Sequence, residues 1–264
     1  MNANQAISLT NVARPADTAK AQDVLRDARV ILLDWDGCVA IQNRPHPIAL
    51  RFIARYQERV TIVSNNSTNL PEDFSNTLAQ FGVEVAPERI FLAGTEAIAL
   101  AAQAAPARTM VLGDRRMTEH AREQGISLDH ADPELVVLLR DTDFSYPKLE
   151  RAANALALGA KLIIANPDMT HPGPQGVVVP ETGALLAALS ACIDPAAIPL
   201  QIVGKPEPLL FMKACAALGT TPDQAVMIGD NPATDLKGAH ALGMTTLLVD
   251  PKSDASLRDF IAPI

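Results

Sequence analysis

Short apolar runs recur along the chain, and most of them end in small or polar residues that favour turns. The clearest are RVILLDWDG at 29–37, VTIVSNN at 60–66 and AVMIGD at 225–230. A continuous apolar run of this length is typical of a buried parallel strand that leads into a loop. The same form predicts five further strands, at 109–114 (TMVLGD), 134–139 (ELVVLL), 161–168 (KLIIANPD), 198–206 (IPLQIVGKP) and 245–250 (TTLLVD).

Amphipathic stretches of helical length separate these runs. PEDFSNTLAQFG at 71–82 opens with Pro and acidic residues and closes with Gly, as helices commonly do. The segments 146–159, 206–219 and 232–243 have the same form, and an Ala-rich helix is expected at 97–107. Regular alternation of strand and helix predicts an α/β protein with mostly parallel sheets and right-handed crossovers.

Eight strands could form one wide sheet or two smaller ones. Prolines at 106, 195 and 199 favour breaks near 106 and 199, which isolate a middle segment of domain size. We therefore expect a leader at 1–27 that is loosely attached and helical only near 21–26, a core domain in two parts at 28–105 and 200–264, and a cap domain at 106–199.

Composition narrows the functional classes. The 264 residues are 48% hydrophobic and carry a formal charge of −8, which indicates a folded domain without a broad basic surface for nucleic acid or anionic membranes. Any phosphate site must therefore be local. With no apolar stretch of 18 residues and no signal-like start, a cytoplasmic protein is expected. Three widely spaced cysteines indicate neither a disulfide framework nor a zinc cluster.

Polar side chains follow four of the predicted strands. Ligands of open parallel sheets bind at the carboxyl ends of strands, so these side chains should converge. Several carboxylates in one pocket raise one another's pKa unless a cation such as Mg²⁺ joins them, and a lysine there suits a phosphate oxygen. The pattern predicts a phosphoryl-transfer site containing Asp34, Asp36, Gly37, Ser64, Asn65, Asn66, Lys205, Asp230 and Asp235.

Spacing suggests the roles within this site. Asp34, at a strand end, can act as a nucleophile that forms an aspartyl-phosphate. Asp36, two residues later, would point to the same side and could exchange a proton with the leaving oxygen and then with water. Gly37 lets the chain turn away, and Ser64 and Asn65 offer donors to an anion ahead of a helix.

Four motifs in this order resemble those of the haloacid dehalogenase-like hydrolase superfamily. They are DWDG at 34–37, SNN at 64–66, GKP at 204–206 and GDNPATD at 229–235. The long insertion between the second and third motifs resembles the type IIA branch, which is NagD-like or para-nitrophenylphosphatase-like. That resemblance implies a doubly wound, Rossmannoid parallel-sheet core with an inserted α/β cap.

The resemblance also implies roles for single residues. Asp34 would be the nucleophile and a magnesium ligand, and Asp36 the acid/base, with its backbone carbonyl on the metal. Asp230 would ligate the metal, and Asp235 would support Lys205 and the metal waters. Phosphoryl binding would fall to Ser64, Asn65 and Lys205, with Gly37 and Asn66 in supporting positions. The sequence departs from the family at Cys38 and in PHPIAL at 45–50, which affects the loop over the site.

Residues of the cap and of the first loop have plainer alternatives. His171, in DMTHPGPQG, could contact the leaving group or could be an exposed loop histidine. Asn166 and Asp168 are expected to fix a turn through their side chains. Trp35 and Cys38 are expected to pack in the core.

The expected function is that of a magnesium-dependent phosphatase that hydrolyses a small phosphomonoester through an aspartyl-phosphate. The alternatives are a phosphotransferase or phosphomutase of the same superfamily, and a catalytically idle metabolite-binding protein on the same fold. Phosphoglycolate, pyridoxal phosphate, nucleotides and sugar phosphates all stay open as substrates. A homodimer is one option, and neither nucleic acid nor a membrane is expected as a partner.

Overall fold

The structure is a computed structural model that describes residues 12–13, 18–41, 43–128, 130–173 and 176–249. Much of the expected leader, residues 1–11 and 14–17, lies outside this range, as do the last residues, 250–264.

Six of the described strands form one sheet in which every pairing is parallel. The three central strands are buried at every position, because helices cover both faces of the sheet. The strand at Ile90–Leu92 was not predicted from the sequence, because three residues are too few to be recognised as an apolar run. The spatial order is β1 (Val12–Ala13), β14 (Thr245–Leu248), β13 (Ala225–Gly229), β2 (Val30–Leu33), β5 (Val60–Ser64) and β6 (Ile90–Leu92).

A second parallel sheet holds the strands of the middle segment. Its order is β12 (Leu200–Ile202), β9 (Lys161–Ile164), β8 (Leu135–Leu138) and β7 (Thr109–Leu112). The expected boundary at 199 is therefore too early: β12 pairs with β9, and the chain leaves the second sheet only after Ile202. Pro199 therefore directly precedes the last strand of the second sheet.

Two short antiparallel hairpins complete the sheet structure. Strands β3 (Ala40–Ile41) and β4 (Arg44–Pro45) follow the first motif. Strands β10 (Thr170–Pro172) and β11 (Val178–Pro180) lie in the segment between β9 and β12.

The predicted helices are present, most of them with somewhat shorter bounds, while the helix expected at 97–107 spans Ala93–Ala104. Further helices lie between them. A π-helical turn, Pro232–Leu236, replaces the first half of the helix expected at 232–243. No described helix has the length and hydropathy needed to span a membrane. The helices are α1 (Thr18–Asp27), α2 (Pro47–Arg55), α3 (Pro71–Ala79), α4 (Ala93–Ala104), α5 (Arg115–Glu123), α6 (Tyr146–Ala157), α7 (Thr182–Ser190), α8 (Pro208–Ala217) and α9 (Lys237–Ala241).

The expectation of a loosely attached leader is wrong for its last ten residues. Helix α1 starts at Thr18, and its residues Ala21 and Leu25 are buried in the core beside the large sheet. Burying these side chains stabilises the fold because apolar surface leaves water.

One apolar cluster is shared by both sheets. It joins Leu32 and Val63 of the large sheet, Ala97 and Ile98 of α4, and Val137 of the small sheet. Helix α4 thus lies between the two sheets and fixes how they face each other. The loops at the carboxyl ends of both sheets meet at this junction.

Candidate active site

The predicted site residues converge where three neighbouring strands end. Asp34 follows β2, Asp230 follows β13, and Ser64 is the last residue of β5. Asp34 and Ser64 are 6% and 1% exposed, so both face inward at the sheet edge and not into bulk water. The parallel strands bring together residues that are far apart in the chain.

Lys205 connects these carboxylates. Its Nζ lies 2.6 Å from Asp34 Oδ1 and 2.7 Å from Asp235 Oδ1, and it donates to the carbonyl oxygen of Val63 at 3.0 Å. Burial alone would lower the pKa of Lys205, but Asp235 and Asp34 raise it above its ordinary range. The lysine is therefore charged at physiological pH.

The route by which Lys205 reaches the site differs from the prediction. The sequence placed it at the end of a core strand, whereas the preceding strand, β12, belongs to the small sheet. Gly204 makes the crossing possible, because a β-carbon there would lie 2.5 Å from Asn65 Oδ1 and 2.7 Å from the Ala165 carbonyl oxygen. Lys205 is thus carried by the junction between the two sheets.

Three carboxylates form a candidate metal centre. Asp34, Asp230 and Asp235 each present an oxygen within 4.8 Å of the others. Burial raises the pKa of Asp34 well above its usual value, and burial together with Asp235 raises that of Asp230 to about 6. One lysine does not balance three acids, and carboxylate oxygens are the ligands that hard divalent cations prefer. The donor set therefore fits such a cation.

Two glycines allow this crowding. Gly37 has φ +85°, and a β-carbon there would lie 2.3 Å from Asp230 Oδ2. A β-carbon at Gly229 would lie 2.2 Å from Asp235 Oδ2. Side chains at either position would displace a carboxylate of the centre, so Gly37 does more than let the chain turn.

Asp36 lies at the mouth of the site and is exposed, unlike Asp34. Removal of the carboxyl from water by the surrounding protein raises its pKa. The charges of Lys205 and His171 lower this pKa, and the charge of Asp168 raises it. Asp36 thus lies within electrostatic reach of the lysine and of two cap residues. A carboxyl with a raised pKa can carry the proton that an acid catalyst needs.

Asn65 plays a different part from the one expected. Its Oδ1 accepts from the backbone N–H of Lys205 at 2.7 Å, and its Nδ2 donates to the Lys205 carbonyl oxygen at 3.0 Å. Nδ2 also donates to Asp168 Oδ2 at 2.9 Å. These three bonds connect the Asn65 side chain to the backbone of Lys205 and to Asp168 of the cap. The amide oxygen and nitrogen are used in these bonds and do not point to an anion.

The SNN loop is closed by its own side chains. The Ser64 hydroxyl accepts from the backbone N–H of Asn66 at 3.1 Å. Asn66 Oδ1 accepts in turn from the N–H groups of Thr68 and Asn69, at 3.1 and 2.8 Å. These bonds fix the turn that follows β5 and leave Asn66 in a supporting position.

Asn166 and Asp168 form the expected turn, in which Asn166 Oδ1 accepts from the N–H of Asp168 at 3.1 Å. They also do something that was not predicted. Asn166 Nδ2 donates to the Asn65 carbonyl oxygen at 2.8 Å and to Thr182 Oγ1 at 3.2 Å. With the Asn65 to Asp168 bond, they join the small sheet to the loop after β5.

His171 is not an unattached loop residue. It lies on strand β10 with Nδ1 2.6 Å from Glu181 Oε1, and Arg140 Nε lies 3.7 Å from the same oxygen. Sequence reasoning missed Glu181 and Arg140. The available signals were weak: Arg140 directly follows a predicted strand, and Glu181 precedes a helix.

Trp35 and Cys38 pack as expected. The indole of Trp35 is 1% exposed and stacks on Phe74 with ring centroids 4.1 Å apart. Burial raises the pKa of the Cys38 thiol well above its usual value, which keeps the thiol protonated and unreactive.

Two family models match most of the motif-bearing chain. A model described as haloacid dehalogenase-like hydrolase matches residues 31–127, and one described as HAD-hydrolase-like matches residues 202–256. The chain is 33% identical over 235 residues to the dihydroxyacetone phosphatase of Corynebacterium glutamicum, which covers 87% of this chain and 84% of that protein.

Solved structures resemble most of the chain. The p-nitrophenyl phosphatase of Archaeoglobus fulgidus has a TM-score of 0.77 at 26% identity and covers 84% of this chain and 86% of its own. The glycerol phosphate phosphatase of Mycobacterium tuberculosis, in complex with calcium, has a TM-score of 0.74 at 26% identity, and the match covers 88% of this chain and 68% of that one.

Proposed function

Because this chain belongs to the haloacid dehalogenase-like hydrolases, in their type IIA branch, we propose that it hydrolyses a small phosphomonoester through a phosphoryl group carried transiently on Asp34. Its class is phosphoric monoester hydrolase, and its substrate is a small phosphorylated compound. One observation carries the proposed mechanism: the buried Asp34 carboxylate contacts Lys205 and lies in the three-carboxylate centre.

In the first step a carboxylate oxygen of Asp34 attacks phosphorus, and the bond from phosphorus to the leaving oxygen breaks. Asp36 gives its proton to that oxygen, so the product leaves as an alcohol. Lys205 Nζ and the Ser64 hydroxyl, at the same sheet edge, bind the phosphoryl oxygens and stabilise their charge.

In the second step Asp36, now ionised, takes a proton from water. The water oxygen bonds to phosphorus, the bond from phosphorus to Asp34 breaks, and inorganic phosphate is released. Two easier displacements thus replace one slow hydrolysis. Asp235 acts indirectly, because its contact with Nζ orients Lys205.

We propose Mg²⁺ as the cation, held by Asp34, Asp230 and the backbone carbonyl of Asp36. When bound, it neutralises charge on the carboxylates and on the phosphoryl group. The buried carboxylate oxygens support a hard divalent cation, as does the calcium in a related phosphatase. Asp235 lies close enough to orient water on the metal.

A small, hydroxylated leaving group suits the site best. The hairpin of β10 and β11 places His171 near Asp36, and polar groups surround that carboxyl. Relatives are named for dihydroxyacetone and glycerol phosphate. We propose that residues 106–202 act as a cap domain over this substrate. The cytoplasmic location and a homodimer stay predictions of the sequence alone.

Phosphate release from para-nitrophenyl phosphate tests the mechanism. We expect release in water, without an added acceptor, that requires Mg²⁺ and is lost in Asp34→Asn. Asp23→Asn, an exposed change on α1, is the matched control and should keep full activity. Equal activity in Asp34→Asn and the wild type would refute the aspartyl-phosphate, and release only with an acceptor alcohol would indicate a phosphotransferase.

A further inference from the structure

Three cap side chains that have no part in the proposed phosphoryl chemistry contact one another in series. Glu181 Oε1 lies 2.6 Å from His171 Nδ1 and 3.7 Å from Arg140 Nε. The Glu181 side chain is only 16% exposed, while those of Arg140 and His171 are 25% and 39% exposed. A partly buried carboxylate between two potential cations interacts strongly with both, because water screens the charges less.

This series lies on the leaving-group side of the site. Asp168, three residues before His171, accepts from Nδ2 of Asn65 in the loop after β5 at 2.9 Å. Both cap residues are near enough for their charges to act on the Asp36 carboxyl, which we assign to the leaving oxygen. Arg140 is fixed to the loop after β5, because its backbone N–H donates to Ser67 Oγ at 3.1 Å. Ser67 Oγ is also 3.3 Å from the hydroxyl of Thr182, the residue after Glu181.

Among the described residues of this series, both potential cations are already paired with a carboxylate. Glu181 occupies both Arg140 and His171, the two groups that could bind a carboxylate or a second phosphate. Asp168 adds a further negative charge, since its partner Asn65 is a neutral amide. In this group of four cap side chains, the carboxylates of Glu181 and Asp168 therefore balance or outweigh the guanidinium of Arg140 and the imidazole of His171.

Glu181 also orients His171. The contact of Glu181 with Nδ1 fixes the orientation of the ring and directs the other ring nitrogen away from Glu181. That nitrogen can hydrogen bond a hydroxyl group of an uncharged leaving group.

We propose that Glu181 is a specificity-determining residue, which holds Arg140 and His171 so that the enzyme selects an uncharged, hydroxylated leaving group and rejects one with a second negative charge. This inference rests on the proposed function. It assigns a role to residues outside the four sequence motifs and predicts the chemical class of the substrate.

The test compares kcat/KM for glycerol 3-phosphate, whose leaving group is neutral, with kcat/KM for 2-phosphoglycolate, whose leaving group carries a carboxylate. In Glu181→Gln the amide can still accept from His171, but Arg140 loses its charged partner. We expect kcat/KM for glycerol 3-phosphate divided by kcat/KM for 2-phosphoglycolate to fall about tenfold relative to the wild type. Glu119→Gln, which removes an exposed carboxylate paired with Arg115 on the same cap, should leave the ratio unchanged.

Arg140→Gln should shift the same ratio in the opposite direction. It removes the cation and leaves Glu181 unbalanced, so the ratio should rise. A purely structural role would weaken both substrates alike in both variants. An unchanged ratio, or a shift in the same direction in the two variants, overturns the inference.

If Glu181→Gln shows no cooperative thermal unfolding, the direction in which Arg140→Gln shifts the kcat/KM ratio decides whether the inference holds. Wild-type hydrolysis of para-nitrophenyl phosphate separates the two levels of failure. No hydrolysis overturns the proposed function and the inference together, whereas normal hydrolysis with an unaltered ratio in the variants overturns the inference alone.

Discussion

The side chain of Asn65 hydrogen bonds both main-chain polar groups of Lys205, a residue 140 positions later in the chain. The two bonds orient the peptide from which the lysine side chain enters the carboxylate centre. A third bond, to Asp168, ties the same amide to the cap. Asn65 is therefore a positioning residue for the lysine.

Asn65→Ala should lower kcat about 10- to 100-fold with a smaller change in KM. The reason is that displacing Lys205 weakens its interaction with the transition state more than its interaction with the bound substrate. Steady-state kinetics with para-nitrophenyl phosphate measures the split. Asn76→Ala, at an exposed position of α3, is the control and should behave as the wild type. A rise in KM at unchanged kcat would speak against positioning.

Lys205→Met should abolish activity and also destabilise the metal-free protein by about 3–5 kcal/mol, because Asp34 and Asp235 would be left buried without a cation. Urea unfolding in the presence of a chelator measures the loss. Lys237→Met, on the exposed side of α9, should change the free energy of unfolding by less than about 1 kcal/mol.

Adding Asp235→Asn to Lys205→Met should restore part of the lost stability, since one unpaired carboxylate is removed. If the double variant is no more stable than the single one, the loss has another cause than unpaired charge.

Gly37→Ala should raise the Mg²⁺ concentration needed for half-maximal activity, because its β-carbon would meet the Asp230 carboxylate 2.3 Å away. Gly82→Ala is a closely matched control: its φ is +76°, against +85° at Gly37, but its β-carbon would have open space. Both variants should lose about 1 kcal/mol of stability to backbone strain. Only Gly37→Ala should change the metal response, and an equal response in both variants would contradict the contact.

The metal-free protein should lose stability as the pH rises through about 6. The pKa of Asp230 is raised to about 6, chiefly by burial, whereas it is near 4 in the unfolded chain. The folded state therefore binds this proton more tightly, so the stabilisation is complete below pH 4, falls between pH 4 and 6, and is gone once the carboxyl has ionised above pH 6. The expected contribution is about 3 kcal/mol.

Chelator-treated wild type and Asp230→Asn, compared by urea unfolding from pH 4 to 7, measure this effect. The asparagine variant should show a flatter curve, and added Mg²⁺ should stabilise the wild type at pH 7 more than the variant. Parallel pH curves for the two proteins would show that Asp230 does not titrate in this range.

The local pattern of apolar and polar residues determined much of the fold. Continuous apolar runs predicted β2, β5 and β13 because strands buried on both faces need apolar residues at every position. The residues that end those runs identified Asp34, Ser64 and Asp230, since a strand end is local information. The short β6 and the attachment of α1 were missed, because three residues carry too little pattern and a helix packs according to what lies beside it.

Tertiary structure decided the rest. That Lys205 enters from the small sheet, that Asn65 holds its backbone, and that Glu181 lies between His171 and Arg140 all depend on contacts between segments distant in the chain. Hydrogen bonds and ion pairs of this kind act over a few ångströms in space and leave no periodic trace in the sequence. The sequence alone thus determined the fold class and predicted which polar residues meet at the sheet edge, while only the arrangement of the two sheets decided which cap side chains lie beside them.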